Sequence, residues 1–231
     1  MLGEANDPGV KIITVEDPVE YDIDGIVQVP INEEIGVTYA RVLRTVLRQD
    51  PDKILVGEIR DGETAQTAVE ASLTGHLVFA TVHTNDAPSA ITRLVDMGVE
   101  PFLITATLEA VIAQRLVRRI CPDCREAYDA DEETLMELGP HGSLLRGARL
   151  HFGRGCDRCF HTGYRGRIAI CEIMTVTDPV RAAILKGTST AAVRDEALRG
   201  GMRTLRESGL RAVREGVTTI EEVLRETAAS W

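Results

Sequence analysis

The sequence lacks several features that would place the protein in a simple class. Aromatic residues make up only 4% of its 231 residues, which argues against a surface that stacks nucleic-acid bases. The net charge of −10 argues against a broad nucleic-acid footprint, although it leaves room for a local basic patch. No apolar run reaches the roughly 20 residues of a transmembrane helix, and MLGEANDPGV has neither the basic nor the apolar region of a secretory signal. These absences predict a cytoplasmic protein with no nucleic-acid partner and no transmembrane segment.

A further absence concerns phosphate binding. The only lysines are Lys11, Lys53 and Lys186, and none of them follows a glycine. A Walker A loop requires the pattern G-x-x-x-x-G-K-[ST], in which the lysine and the backbone N–H groups hold the phosphates of a nucleotide. The chain therefore contains no Walker A loop.

What is present is the composition of a folded protein, with 44% hydrophobic and 27% charged residues. KIITVE, KILVGEI and HLVFATVHT read as strands, and segments of helical spacing lie between and after them. This order predicts an α/β fold in which helices cover a parallel sheet. We also expect residues 101–120, PFLITATLEAVIAQRLVRRI, to form one long helix that begins near Pro101.

The character of the sequence changes at Cys121. Loops, glycines and paired cysteines follow, with one short helix expected near residues 132–138. The segment TGYRGRIAICEIM then resumes a strand pattern, and residues 177–231 read as helices of moderate length. The sequence therefore predicts three parts, which are residues 1–120, 121–162 and 163–231.

Polar side chains stand at the ends of the three expected strands. Glu16 ends the first, Glu58 ends the second, and His83 ends the third. Because ligands of open parallel sheets bind outside the carboxyl ends of the strands, these side chains are expected to share one crevice. Two carboxylates and an imidazole there suit a hydrated magnesium ion, an attacking water and a terminal phosphate. The alternatives are an ordinary core strand that leaves its sheet at Glu58 and a hydrogen-bonded loop histidine at His83.

Four of the five cysteines form two close pairs, CPDC at 121–124 and CDRC at 156–159. Four thiolates from two such turns can form a closed tetrahedral zinc site, which would have a structural role because no coordination position stays open. Two disulfides or four unrelated thiols are the alternatives, and a cytosolic chain favours the metal. The predicted ligands are Cys121, Cys124, Cys156 and Cys159.

The motifs together resemble a known family. VEDPVEY, LRQDPDKILVGEIRDGETA, TGHLVFATVHTNDAPSAITRL, AQRLVRRICPDC and GCDRCFHTGYRGR are similar to motifs of the secretion ATPases of type II secretion and type IV pilus assembly, in the family's order. The likeness runs from about Ile12 to the C-terminus. The tetracysteine segment resembles the type II secretion and pilus-extension branches, and the pilus-retraction branch lacks it.

The resemblance implies a role for each matching residue. Glu16 corresponds to the catalytic carboxylate of the Asp box, Glu58 to the Walker B acid, and His83 to the His-box residue near the terminal phosphate. The four cysteines correspond to the family's zinc ligands. The remaining matches imply nucleotide-binding or supporting positions, which are Asp17, Arg60, Asp61, His76 and Thr84.

The resemblance also implies the architecture. Residues 1–120 would be the C-terminal part of a RecA-like P-loop NTPase core, 121–162 a zinc-binding insert, and 163–231 a mainly helical subdomain. The family implies a homo-hexamer that uses ATP and Mg²⁺. Its partners would be an inner-membrane platform protein and cytoplasmic assembly components, through which the protein would associate peripherally with the inner membrane.

In the family the Walker A loop lies just before the Asp box, so the resemblance implies that this chain begins downstream of that loop. We therefore expect weak or absent ATP hydrolysis by this chain alone, because most of the phosphate-binding groups are missing. The alternative function is a non-catalytic, zinc-containing assembly or binding module from a truncated or split gene.

Overall fold

Four short runs of the first half of the chain form one parallel sheet. The computed structural model describes residues 2–187 and 189–227. The strands are β1 (Ile12–Glu16), β2 (Val27–Pro30), β3 (Lys53–Val56) and β4 (Leu77–Ala80). They lie in the order β2-β1-β3-β4, and each neighbouring pair runs parallel. The prediction of an α/β fold with a parallel sheet is confirmed.

The two central strands have nearly continuous apolar side chains. Ile13 of β1 pairs with Val27 on one side and with Ile54 of β3 on the other. Ile13 and Ile54 are buried, whereas Leu77 at the start of the edge strand β4 is 48% exposed. Burial on both faces therefore belongs to the middle of the sheet, as expected for parallel strands covered by helices.

The described part of the chain also contains ten α-helices, and it divides into two compact units. The first unit contains residues 2–84, 89–109, 178–187 and 189–193, and the second contains residues 85–88, 110–177 and 194–227. The helices are α1 (Leu2–Ala5), α2 (Tyr39–Val46), α3 (Gly62–Leu73), α4 (Ala87–Asp96), α5 (Pro101–Thr107), α6 (Glu132–Glu137), α7 (Asp178–Leu185), α8 (Thr190–Arg199), α9 (Leu205–Arg214) and α10 (Ile220–Glu226).

The long helix expected over residues 101–120 is wrong. Helix α5 ends at Thr107, and Ala110–Ile120 forms strand β5, which pairs antiparallel with a second long strand, β8 (Tyr164–Thr175). The run AVIAQRLVRRI carries several β-branched residues, and its partner strand lies far away in the sequence. The pairing of β5 with β8 therefore determined the secondary structure of a segment whose residue spacing was also compatible with a helix.

The cysteine-containing segment shares a core with the C-terminal helices. Strands β6 (Arg125–Asp129) and β7 (Arg149–Gly153) form a small antiparallel ribbon, and α6 lies between them in the chain. The side chains buried together in this core are Leu135, Leu138, Leu145, Leu150, Leu210, Val213, Ile220 and Val223. The segment is thus packed by apolar contacts as well as by its cysteines.

Among the residues that the structure describes, no helix has the length and apolar character needed to cross a membrane.

Candidate functional site

The carboxyl ends of the parallel strands bring the predicted acidic residues to one edge of the sheet. Glu16 is the last residue of β1, Glu58 lies two residues beyond the end of β3, and His83 lies three residues beyond the end of β4. Since all these strands run in one direction, their carboxyl ends face the same way. The sheet topology therefore places these residues at the edge where ligands of open parallel sheets bind.

Glu58 is the centre of a charged cluster at this edge. Its Oε2 atom accepts a hydrogen bond of 2.5 Å from Arg60 Nε, and its Oε1 atom contacts His83 Nε2. Arg60 Nη1 also lies 3.7 Å from Asp17 Oδ2. The side chain of Glu58 is only 13% exposed, whereas that of His83 is 89% exposed. The structure thus brings together Asp17, Glu58, Arg60 and His83.

The hydrogen bond to Glu58 raises the pKa of Arg60, and the charge of Glu58 adds to this effect. Both oxygens of Glu58 have cationic or polar partners in this arrangement. A carboxylate held in this way keeps a fixed direction, which is what a group that orients a metal-bound water requires.

Glu16 is held by a separate set of hydrogen bonds. Its Oε1 atom accepts from Thr14 Oγ1 at 2.5 Å and from Gln28 Nε2 at 2.9 Å. Gln28 is itself fixed, because its side-chain oxygen accepts from the backbone N–H of Ile23. Sequence reasoning missed Gln28, and no motif in the sequence marks it.

Tyr39 is a second residue that sequence reasoning missed. It is buried, and burial raises its pKa, with the charges of Asp17, Glu58 and Glu16 adding to that increase. A Cβ atom added at Gly57 would lie 3.1 Å from the hydroxyl oxygen of Tyr39 and 2.9 Å from the carbonyl oxygen of Val15. Gly57 therefore allows the tyrosine and β1 to approach the chain beside Glu58. The glycine in ILVGEI was the feature of the sequence that could have indicated this close approach.

Two predicted residues, Asp61 and His76, have clear local roles, and His76 lies away from the edge of the sheet that carries Glu58. Asp61 begins α3, where its Oδ1 accepts a hydrogen bond of 2.8 Å from the backbone N–H of Thr64. His76 precedes β4, so it lies at the opposite end of that strand from His83. Its Nδ1 is 2.9 Å from the carbonyl oxygen of Ala71, near the end of α3. The structure therefore does not bring His76 to the edge where Glu58 lies. Thr84 is half-buried and directly follows His83.

The four paired cysteines form a separate candidate metal centre in the second unit. Their Sγ atoms all lie within 4.8 Å of one another, with separations of 4.0 Å for Cys121–Cys156, 3.9 Å for Cys124–Cys159 and 3.8 Å for Cys156–Cys159. A tetrahedral zinc ion with Zn–S bonds of about 2.3 Å requires Sγ separations of about 3.8 Å. All five cysteines of the chain are free, so the cysteine pairs are not disulfides here.

Backbone N–H groups support thiolates in this centre. Cys159 Sγ accepts from the N–H of Cys156 at 3.2 Å and from that of Gly163 at 3.3 Å. Burial alone would raise the pKa of Cys159, but these hydrogen bonds lower that pKa to about 6. Burial raises the pKa of Cys124 to about 12, although the N–H of Gly155 donates to its sulfur. The donors and the spacing of the four sulfur atoms suit a tetrahedral thiolate-bound metal.

The fold and the site together define a class: an α/β protein with a parallel sheet and carboxylates at its carboxyl end, related to motor ATPases. Among solved structures, the pilus retraction motor PilT with bound ADP matches with a TM-score of 0.66 and 26% identity, over 94% of this chain and 52% of that chain. The ATPase DotB of Legionella pneumophila shares the fold, with a TM-score of 0.67 and 23% identity, over 96% of this chain and 53% of that chain.

The particular family follows from the sequence comparisons. The chain belongs to the family described as type II/IV secretion system protein, whose sequence model matches residues 1–225. The type IV pilus assembly ATPase PilB of Thermus thermophilus is 56% identical over 95% of this chain and 25% of its own length. The type II secretion system ATPase E of Vibrio cholerae is 49% identical over 99% of this chain and 45% of its own length. The chain thus spans between a quarter and a half of these relatives.

Proposed function

We propose that the chain is the hydrolytic and zinc-bearing part of a motor that couples ATP hydrolysis to type II protein secretion or to type IV pilus assembly. Its similarity to proteins named as type II secretion and pilus assembly ATPases supports this function. The observation that carries the proposal is the cluster of Asp17, Glu58, Arg60 and His83 at the carboxyl edge of the sheet.

We assign the catalytic roles from this geometry. Glu16 and Glu58 would orient a hydrated Mg²⁺ ion and the attacking water, because carboxylate oxygens suit that ion. His83, which is largely exposed, would contact the terminal phosphate of ATP. Arg60 and Asp17 hold the direction of Glu58, while Asp61 and His76 act through α3 and β4 and do not touch the nucleotide in this proposal.

The wider assembly is part of the same proposal. The motor would be a homo-hexamer in the cytoplasm, bound to an inner-membrane platform protein and to cytoplasmic assembly components. We expect this chain alone to hydrolyse ATP weakly or not at all, because it has no Walker A loop to hold the phosphates.

A chimera tests the assignment of Glu58. In the T. thermophilus relative, this chain would replace the segment that it matches, so that the rest of the relative completes the protein. The chimera should hydrolyse ATP, and Glu58→Gln should lower its kcat about 100-fold or more because the attacking water loses the carboxylate that orients it. Glu100→Gln is the matched control, since Glu100 is exposed and its side chain caps no helix.

The outcomes separate the two candidate functions. Equal activities for the two variants would show that Glu58 has no catalytic role. Turnover by this chain alone that Glu58→Gln abolishes would refute the expected inactivity. A chimera that folds but does not hydrolyse ATP, while the intact relative does, would favour the non-catalytic assembly module.

We also propose that Cys121, Cys124, Cys156 and Cys159 bind one structural zinc ion. The support is the tetrahedral spacing of their sulfur atoms and the N–H donors around them. Metal analysis of the reduced protein should find about one zinc per chain. Cys171→Ser should keep that zinc, because Cys171 lies on β8 outside the cluster, whereas Cys159→Ser should lose it. Less than half a zinc per chain in a folded sample would contradict the proposal.

A further inference from the structure

The second unit contains a cavity of about 300 Å³ that has no role in the proposed function. Three arginines line it: Arg119 at the end of β5, Arg125 at the start of β6, and Arg165 near the start of β8. The other lining residues are Ile120, Pro122, Gly216 and Val217. Three cationic side chains from three strands thus converge on one space, and we call this cavity the arginine pocket.

The arginine pocket has fewer negative charges than positive ones. In the described part of the chain, no carboxylate lies within ion-pair distance of Arg119 or Arg125. Arg165 has a partner in Asp123, at 3.4 Å, but the same carboxyl group also pairs with Arg158 at 3.5 Å. An excess of guanidinium groups around a concave surface produces a positive potential that favours an anion.

The backbone around the arginine pocket is fixed. The N–H of Ile120 donates to the carbonyl oxygen of Val217 at 2.9 Å, which joins the end of β5 to the turn after α9. Gly216 has a φ of +70°, and a Cβ atom there would overlap the guanidinium group of Arg125. Arg125 therefore packs directly on a bare glycine, which limits the positions that its guanidinium can take.

His151 is a half-buried polar residue beside the arginine pocket. Its Nδ1 atom, which lies beside Gly216 and Arg125, is buried without a hydrogen-bond partner among the described residues. Burial lowers the pKa of His151, and the charges of Arg125 and Arg149 lower it further. The ring is therefore neutral at neutral pH, and its unpartnered nitrogen lies beside an uncompensated cation. Buried polar atoms without partners are uncommon and call for a physical explanation.

We propose that the arginine pocket is a binding site for a phosphate group carried by a small soluble phosphomonoester, anchored by Arg119, Arg125 and Arg165. Guanidinium groups bind phosphate through paired N–H donors, and such charge-assisted bonds are stronger than neutral ones. The volume exceeds that of a bare phosphate and leaves room for an organic substituent against Ile120 and Pro122. None of its lining residues belongs to the cluster around Glu58, so the proposal does not rest on ATP hydrolysis by this chain.

A competing role for the same arginines is charge compensation. A zinc ion bound by four thiolates carries a net charge of about −2, and Arg119 and Arg125 are close in sequence to Cys121 and Cys124. In that case an added anion would gain little, and loss of an arginine would weaken the metal site instead. The two roles therefore predict different effects of the same substitution.

Calorimetric titration of the zinc-loaded protein distinguishes these roles. The probes are inorganic phosphate and phenyl phosphate at constant ionic strength, with acetate as the anion control. We expect saturable binding of both phosphates, tighter for phenyl phosphate, with no comparable binding of acetate. Arg125→Gln should weaken phosphate binding about 10-fold or more, since it removes charge-assisted hydrogen bonds to the phosphate. Arg125→Lys should restore only part of this loss, because lysine keeps the charge but not the paired donors.

Matched controls make the result decisive. Arg146→Gln removes an exposed arginine of the same unit that pairs with Glu132 outside the arginine pocket, and it should change phosphate binding less than twofold. Arg119→Gln provides a second variant if Arg125→Gln folds poorly. Phosphate should also shift the ring ¹⁵N resonances of His151 but not those of the half-buried His141 or the exposed His161.

Several results would overturn the proposal. One is the absence of saturable phosphate binding to the zinc-loaded protein. Another is equal weakening by Arg146→Gln and Arg125→Gln, which would indicate diffuse electrostatics. A third is unchanged phosphate binding in Arg125→Gln and Arg119→Gln together with a loss of zinc, which would assign these arginines to charge compensation.

Discussion

At the residue scale, Asp61 shows how one side chain serves local structure within a functional motif. The resemblance assigned it to nucleotide binding, whereas the structure places it at the start of α3, where it accepts hydrogen bonds from the N–H and the hydroxyl group of Thr64. Asp61→Ala should lower the free energy of unfolding by about 1 kcal/mol because the first turn of the helix loses its cap.

Urea unfolding of three proteins checks this prediction. Asp61→Asn should stay within a few tenths of a kcal/mol of the unmodified chain, since asparagine caps helices as well as aspartate does. If both substitutions cost the same, the charge of Asp61 matters more than its hydrogen bonds, and the capping role is wrong.

Glu222 is a buried carboxylate of the second unit whose ionisation should affect stability. It is 1% exposed and accepts hydrogen bonds from the backbone N–H, Nε and Nη2 of Arg118. Burial alone would raise its pKa, but the hydrogen bonds and charges of Arg118, with that of Arg225, lower it below the ordinary value of 4.5. A lowered pKa gives stability that is fully present above pH 4.5 and is lost as the pH falls through the folded-state value.

The direction of this pKa shift predicts how the effect of Glu222→Gln on stability depends on pH. At pH 7, Glu222→Gln should cost about 2 kcal/mol of unfolding free energy, because Arg118 loses its charged partner and remains partly buried. The gap between the variant and the unmodified chain should shrink as the pH is lowered from 5 to 3. Chemical unfolding at each pH measures it, and a gap that stays constant over this range would refute the assignment.

At the element scale, the strand β5 offers the sharpest test of the observed fold. Val117 is fully buried with Ile170 and Leu205, whereas the adjacent Leu116 is 42% exposed. Val117→Ala should cost about 2 kcal/mol through lost burial, and Leu116→Ala should cost less than about 1 kcal/mol. Thermal unfolding of the two variants checks this alternation, and a larger loss for Leu116→Ala would contradict the strand.

The elements also show what the sequence could predict. The strands β1, β3 and β4 were predictable because short apolar runs end at charged residues, and the end positions of Glu16, Glu58 and His83 followed from their order. The strand at Ala110–Ile120 was not predictable, since its partner lies beyond residue 163 and local spacing also suited a helix. Tyr39 and Gln28 reach the acidic edge from other elements, so no local pattern could reveal them.

At the scale of the whole molecule, the cysteine cluster is expected to stabilise one unit selectively. The cysteines belong to the second unit, and the sheet with Glu58 belongs to the first. The division into residues 1–120, 121–162 and 163–231 stays a prediction. Removal of zinc by a chelator should therefore expose residues 121–162 to proteases, while β1 and β3 remain protected.

Limited proteolysis followed by mass spectrometry measures this effect. The control is Cys171→Ser, which leaves the four candidate ligands in place and should respond to the chelator as the unmodified chain does. Cleavage that begins in the parallel sheet, or that is unchanged by the chelator, would contradict a structural zinc site in the second unit.

The pairing of β5 with β8 has a consequence for the order of events during folding. Ile120 pairs with Tyr164, so residues 121–163 form the loop that joins the two strands. Closing a flexible loop of this length costs on the order of 3 kcal/mol in chain entropy. Cys121 follows β5 directly and Cys159 lies shortly before β8, so a metal held by both would close that loop before β5 and β8 pair. Zinc should therefore speed the folding of the second unit as well as stabilise its final state, because the slow step of bringing two distant strands together would already be complete.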